Sequence, residues 1–268
     1  MISRERFHEI RKYIQEAYVE AFNYARNNEK NKNDYIQFLA RVFYDETMTN
    51  PKFSPWQVDR DLERILDHDR VEFVLQYLNE NYNFKDSQTT DTKYSLSIEL
   101  MIYSHLWESQ HHLANLKKLA DLCDSKPYDC AVKIPMESKF KFVKNNIREV
   151  FKKHNLKIYD FMNDCYRSQF RNAFAHSLYH FSINGNFIVF ENYDGVNAIV
   201  QRISFDDWTE IFLKTVLIHH IFTEQLENAK LSLVHGQEYE TTMDYNGVNS
   251  NGVIVYDSVK GNFYAAIK

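Results

Sequence analysis

Glycine placement is the strongest constraint on this chain. All six glycines of the 268 residues lie at or after Gly185, so the first 184 residues contain none. Hairpin turns draw on glycine's freedom at positive φ, whereas a helix interior loses roughly 1 kcal/mol for each glycine it holds. So long a run without glycine reads as helical, followed by a stretch containing β-hairpins. Aromatic content of 15%, from 20 Phe and 18 Tyr, predicts a ring-filled core.

Apolar spacing divides the helical part. Phe7, Ile10, Ile14, Tyr18, Ala21 and Ala25 predict an amphipathic helix over 4–28. Tyr35, Phe38, Leu39, Val42 and Phe43 predict a second. Ser54 before Pro55 reads as a cap with proline at the first helical position, opening a helix through Leu66, and Asp69 as the cap of the next. The polar run 83–93 marks a subdomain boundary. A long helix is expected from Tyr94 to Cys123. After the break bracketed by Pro127 and Pro135, an amphipathic helix carries Met136, Phe140, Val143, Ile147 and Val150. Another covers Ile158 to Tyr179. Asn184-Gly185 lies between β-prone runs and predicts a two-residue hairpin. Ser204 opens a last long helix to about Leu233, and the tail holds candidate strands at Val253–Tyr256 and Asn262–Ile267.

The expected fold is therefore mostly α, a helical bundle with an inserted β-hairpin and a small C-terminal β element. Three segments are expected: a helical subdomain over 1–90, a central domain over 91–235 and a strand-bearing tail over 236–268. No apolar run approaches the ~20 residues of a membrane span, and the N-terminus lacks a signal-peptide pattern. Cys123, Cys130 and Cys165 form neither a disulfide framework nor a metal-ligand spacing, which fits a reducing cytoplasm. The net charge of −5 argues against a general nucleic-acid coat but allows a local basic surface. With no glycine before residue 185, phosphate loops and dinucleotide-binding turns are excluded from that stretch.

The segment that carries chemistry is Ser168-Gln-Phe-Arg171-Asn172-Ala-Phe-Ala-His176-Ser177, late in an expected helix and just before the hairpin. It resembles the R-x4–6-H motif of HEPN domains in its Arg-Asn-x-x-x-His form. The order of long helix, helical segment, motif helix, hairpin and closing helix resembles that family from Tyr94 to Leu233. The resemblance implies an HEPN-like bundle and a metal-independent endoribonuclease that needs no cofactor and works as a homodimer, two motifs lining one cleft. Many relatives serve as toxins or in antiviral defence, which implies RNA as substrate and an inhibitory or antitoxin partner.

The residue types suit that chemistry. Histidine can act as base or acid near neutral pH. Arginine keeps its charge and offers a planar fork to phosphate. On a helix, Arg171 and His176 point about 140° apart, while Asn172 and His176 share a face, so Asn172 is expected to orient the imidazole. Lys141, Lys144, Arg148 and Lys152 fall at steps of three and four on the preceding helix and form a basic stripe suited to a phosphate backbone. Arg167, one turn before Arg171, is a further phosphate contact or an ion-pair partner of Asp164. Glu99 and Ser177 are candidate supporting contacts of the site.

Competing readings stand beside these. His176 could be a helix-end histidine and Arg171 a surface ion-pair partner, leaving a catalytically silent HEPN-like binding module. His105, Glu108 and His112 could share a helix face as metal ligands, but no matching cluster accompanies them. His219 or His220 reads as a core histidine.

Overall fold

The computed structural model describes residues 2–48, 50, 54–58, 62–82, 92–182 and 185–267, the side chains of 62–71, 248 and 267 excepted. In chain order the elements are α1 (Arg4–Asn27), α2 (Asp34–Ala40), β1 (Phe43–Tyr44), β2 (Trp56–Gln57), α3 (Leu62–Asn81), α4 (Lys93–Glu108) and α5 (Gln110–Cys123). There follow α6 (Lys139–Val143), a π-helical turn over Lys144–Arg148, α7 (Glu149–Lys153), α8 (Ile158–Cys165) and α9 (Ser168–Ala175). The chain ends with β3 (Tyr179–Phe181), β4 (Phe187–Phe190), β5 (Arg202–Ser204), α10 (Phe205–Leu231), β6 (Glu238–Tyr245), β7 (Val248–Asp257) and β8 (Asn262–Ile267). The protein is mostly helical with small antiparallel sheets. Among the described residues no helix is long and apolar enough to cross a membrane.

These elements form two compact units built from interleaved segments. The first takes Met1–Glu16, Asp67–Ser109 and Asp160–Ile221, the second Ala17–Leu66, Gln110–Tyr159 and Phe222–Lys268. The expected segments 1–90 and 91–235 each contribute to both units, and 236–268 falls within the second.

In the first unit, α4 begins with a capping box. Thr92 Oγ1 accepts the N–H of Ser95 at 3.0 Å while Ser95 Oγ accepts that of Thr92 at 2.9 Å. Its buried stripe of Leu96, Leu100, Tyr103 and Trp107 packs with α8, α9 and the first part of α10. Phe170 of α9 is central. Its ring lies 4.8 Å from Phe190, 5.7 Å from Trp208 and 6.1 Å from Tyr103. Burying such a ring contributes on the order of 3 kcal/mol. Strands β3, β4 and β5 form a sheet in that order, with Tyr179 opposite Phe190 and Ile188 opposite Ile203.

The second unit is centred on Tyr18, Phe22, Phe38, Leu116, Ile147 and Phe222, all buried. Its meander β6-β7-β8 is tied to α2 by Gln37, whose amide donates to Thr241 Oγ1 at 2.8 Å.

Several expectations need correcting. The helix expected from Tyr94 to Cys123 breaks at Ser109, which is extended at ψ 110°. The break re-phases the apolar stripe, so that Leu106 and Trp107 before it and Leu113 and Leu116 after it are all buried. Ser54-Pro55 leads into strand β2 rather than a helix, because Ser54 Oγ accepts the N–H of Trp56 at 3.0 Å in a local turn. Helix α3 then runs through position 69 without interruption. The boundary placed at 83–93 falls mainly on 83–91, outside the described residues, as does Asn184. On either side of it β3 and β4 pair as antiparallel neighbours, with Phe181 opposite Ile188 and the Ser182 N–H on Phe187 O at 2.9 Å. Strand β6 was not anticipated, although Asn246-Gly247, with φ of 51° and 83°, makes the two-residue hairpin that joins it to β7.

Candidate active site

The helix expected over Ile158 to Tyr179 is two helices and a strand. It opens at Tyr166 and Arg167, where Arg167 is extended at φ −134° and ψ 117°. Tyr103 holds this opening. Its hydroxyl accepts the Arg167 N–H at 2.9 Å and donates to the Cys165 carbonyl at 2.8 Å. Burial pushes the Tyr103 phenol well above its ordinary range, so the group stays a donor. Helix α9 therefore begins at Ser168, three residues ahead of Arg171.

The other end of α9 stops in a Schellman turn. Ser177, at φ 54°, gives its N–H to Phe174 O at 3.2 Å, and Leu178 gives its own to Ala173 O at 2.8 Å. A non-glycine residue in the left-handed region is uncommon, and the two backbone bonds hold it there. Ser177 thus serves the chain reversal; its side chain makes no contact with Arg171 or His176 among the described residues. His176 is the C-cap, with its ring exposed. Its own N–H bonds the carbonyl of Asn172 at 3.0 Å.

Arg171 is anchored on two sides. Asn172 Oδ1 accepts from Nη2 at 3.0 Å and from Nε at 3.3 Å, and the carboxylate of Glu108, at the end of α4, pairs with Nη1. The expectation that Asn172 orients the imidazole is corrected, since its oxygen is directed to the guanidinium. Phe170 and Ala173 fill the buried side of α9, which leaves Arg171, Asn172 and His176 toward solvent.

Glu99 does not support this site. It lies nine residues before Glu108, about 13 Å along α4 and on its opposite side. There it is buried and accepts from Tyr82 Oη at 2.6 Å, Trp208 Nε1 at 2.9 Å and Tyr77 Oη at 3.1 Å. Arg167 makes no ion pair among the described residues, because Asp164 is taken by Lys214 at 3.0 Å. Its guanidinium thus remains available one turn ahead of Arg171.

The basic stripe belongs to the second unit. Lys141 and Lys144 are exposed. Lys152 is exposed too, beside Glu149 at 3.9 Å and over the Tyr159 ring at 5.3 Å. Arg148 leaves the stripe: its side chain is only 11% exposed and pairs with Glu149 at 3.2 Å. The π-helical turn causes this, since five-residue closure rotates Arg148 away from the four-residue phase of Lys144. The candidate metal face of His105, Glu108 and His112 is divided by the break at Ser109, so i, i+7 spacing on one helix no longer applies. Among the described residues no three His, Cys, Asp or Glu side chains cluster as ligands.

Sequence reasoning missed Glu108 as the partner of Arg171. Sixty-three positions separate the two, and no local pattern links them. Compared with known families, characterised proteins and solved structures, the chain has no significant match.

Proposed function

We propose that this chain is a metal-independent endoribonuclease of the HEPN kind, acting through Arg171 and His176 in the cytoplasm. The observation that carries the proposal is the exposed imidazole of His176 at the C-cap of α9, one turn beyond the Asn172 that steadies the Arg171 guanidinium. In this reading an imidazole takes the proton of a ribose 2′-OH. The 2′-oxygen forms a bond to phosphorus, the bond from phosphorus to the 5′-oxygen breaks, and a proton passes to that oxygen. Arg171 binds the non-bridging oxygens, whose charge grows in the transition state. The products are a 2′,3′-cyclic phosphate and a free 5′-hydroxyl.

One imidazole cannot be base and acid in the same instant, which is the chemical reason to expect a homodimer presenting two motifs to one cleft. Asn172 acts as a positioning residue for Arg171. Arg167, Lys141, Lys144 and Lys152 are the candidate phosphate contacts. A role as a toxin or antiviral effector, restrained by an inhibitory partner, fits a nuclease of this chemistry.

The ion pair to Glu108 favours a second reading, in which Arg171 is structural and the domain binds partners without catalysis. One assay separates the two. Purified protein is incubated with a mixed RNA pool in EDTA, followed by end-group analysis. Cleavage to cyclic phosphate ends that is lost in Arg171→Ala and His176→Ala supports the nuclease. Wild type inert on every RNA supports the binding module.

A further inference from the structure

The sheet that follows the motif helix has two unlike faces. Side chains of directly paired residues share a face, and they alternate along each strand. Tyr179, Phe181, Ile188 and Phe190 fall on one face, where Ile188 and Phe190 are buried and Phe190 stacks on Phe170. The other face carries His180, Val189 and Arg202, aligned across the three strands by the pairs His180–Val189 and Val189–Arg202. Phe187, two residues before Val189, is on the same face.

This outer face joins an aromatic ring to cations. The guanidinium of Arg202 lies over Phe187, 5.0 Å from the ring centroid, and the residue is exposed. Among the described residues Arg202 has no carboxylate partner. Two carboxylates near it are engaged elsewhere: Glu191 holds His180 Nδ1 at 2.8 Å, and Asp207 accepts from the Ser204 hydroxyl at 2.6 Å. An exposed guanidinium held over an aromatic ring offers, with that ring, a surface on which a further ring can stack, and its charge complements phosphate. The motif helix packs on the inner face, through Phe170 on Phe190 and Phe174 on Tyr179; three residues join His176 to His180 of the outer face, a chain reach of at most about 14 Å.

We propose that the outer face of β3–β5 is a stacking platform for an unpaired RNA base, with Arg202 and Phe187 as its floor, taking a nucleotide further along the strand whose phosphodiester is handled by His176 and Arg171. This rests on the nuclease reading. The platform selects single-stranded RNA, because paired bases are stacked inside a duplex and cannot splay onto a protein face. Splaying also serves the chemistry. Attack by the 2′-oxygen needs the 5′-oxygen in line behind phosphorus, an arrangement that a regular A-form backbone does not offer.

The test uses the full chain, with binding measured on His176→Ala so that the RNA survives. A fluorescein-labelled ten-nucleotide single strand and the matching duplex are titrated by anisotropy, and cleavage is measured separately with His176 intact. Arg202→Ala is expected to weaken single-strand binding about tenfold and to raise KM while leaving kcat nearly unchanged; Phe187→Leu should follow it, with fold checked by circular dichroism. Duplex should bind more weakly than single strand. Equal binding of duplex and single strand, or unaltered KM in Arg202→Ala while Arg171→Ala abolishes cleavage, overturns the platform and leaves the nuclease standing. Single-strand binding that depends on Arg202 without any cleavage keeps the platform and removes the nuclease. Absence of RNA binding overturns both.

Discussion

The hydroxyl of Tyr103 in α4 sits on the backbone of Arg167, taking its N–H at 2.9 Å and giving its own proton to Cys165 O at 2.8 Å. Through this contact α4 decides where α9 begins, and hence which way Arg171 and His176 face. Tyr103→Phe keeps the ring packing but leaves the Arg167 N–H and the Cys165 carbonyl without this partner. A loss of about 1–3 kcal/mol is expected in urea unfolding. Any ribonuclease activity should fall further than that of a surface variant of equal stability.

In the nuclease reading, Glu108 competes with phosphate for Arg171, with which it forms an ion pair. The carboxylate is 42% exposed and the guanidinium 24%, so the pair contributes little to stability, under about 1 kcal/mol. Glu108→Gln should leave the melting temperature nearly unchanged and lower KM for RNA severalfold, with kcat altered less. Steady-state cleavage kinetics on the purified variant check this. A collapse of kcat at constant KM would instead make Glu108 part of the chemistry.

Glu99 is a stability residue. Tyr82, Trp208 and Tyr77 all donate to its buried carboxylate. Glu99→Ala strips three donors of their acceptor and opens space in the core, so a loss of about 3 kcal/mol or more is expected. Glu99→Gln keeps an acceptor oxygen and should cost less. Chemical denaturation of both variants, read by tryptophan fluorescence, gives the comparison.

His112 makes the protein acid-sensitive. It is buried in the second unit, 5.6 Å from the Phe222 ring, and burial pushes its pKa down to about 3. Between that value and the ordinary histidine pKa of about 6.5, the unfolded chain binds a proton that the native one refuses. The contribution of His112 is therefore complete above pH 6.5 and is lost as the pH falls, by up to about 1.4 kcal/mol per unit. Unfolding followed from pH 7 to pH 4 should show this slope, and His112→Leu should flatten it.

Much of the helical fold was legible in local pattern. The apolar stripe of α1, the serine that caps α10 and the absence of early glycine each act through neighbouring residues, and such signals survive in a sequence. Ser204 does cap α10, its Oγ accepting the N–H of Asp207 at 3.1 Å. Missed elements had weaker or misread local signals. Strand β6 alternates buried and exposed residues over a polar stretch, and only Asn246-Gly247 announced it. The break at Ser109 and the π-helical turn arise where core packing demands a new phase, which helical periodicity alone does not report.

Of the candidate site, the sequence by itself determined the side chains and their spacing: an arginine and a histidine five positions apart, with an asparagine between them, ahead of a hairpin. Tertiary structure alone decided what those groups face. Asn172 serves Arg171 rather than His176, Glu108 reaches Arg171 from a distant segment, Glu99 turns into the core, and Arg148 folds onto Glu149. The physical reason is that spacing along a helix sets angles about its own axis, whereas partners come from whichever elements the apolar core draws alongside.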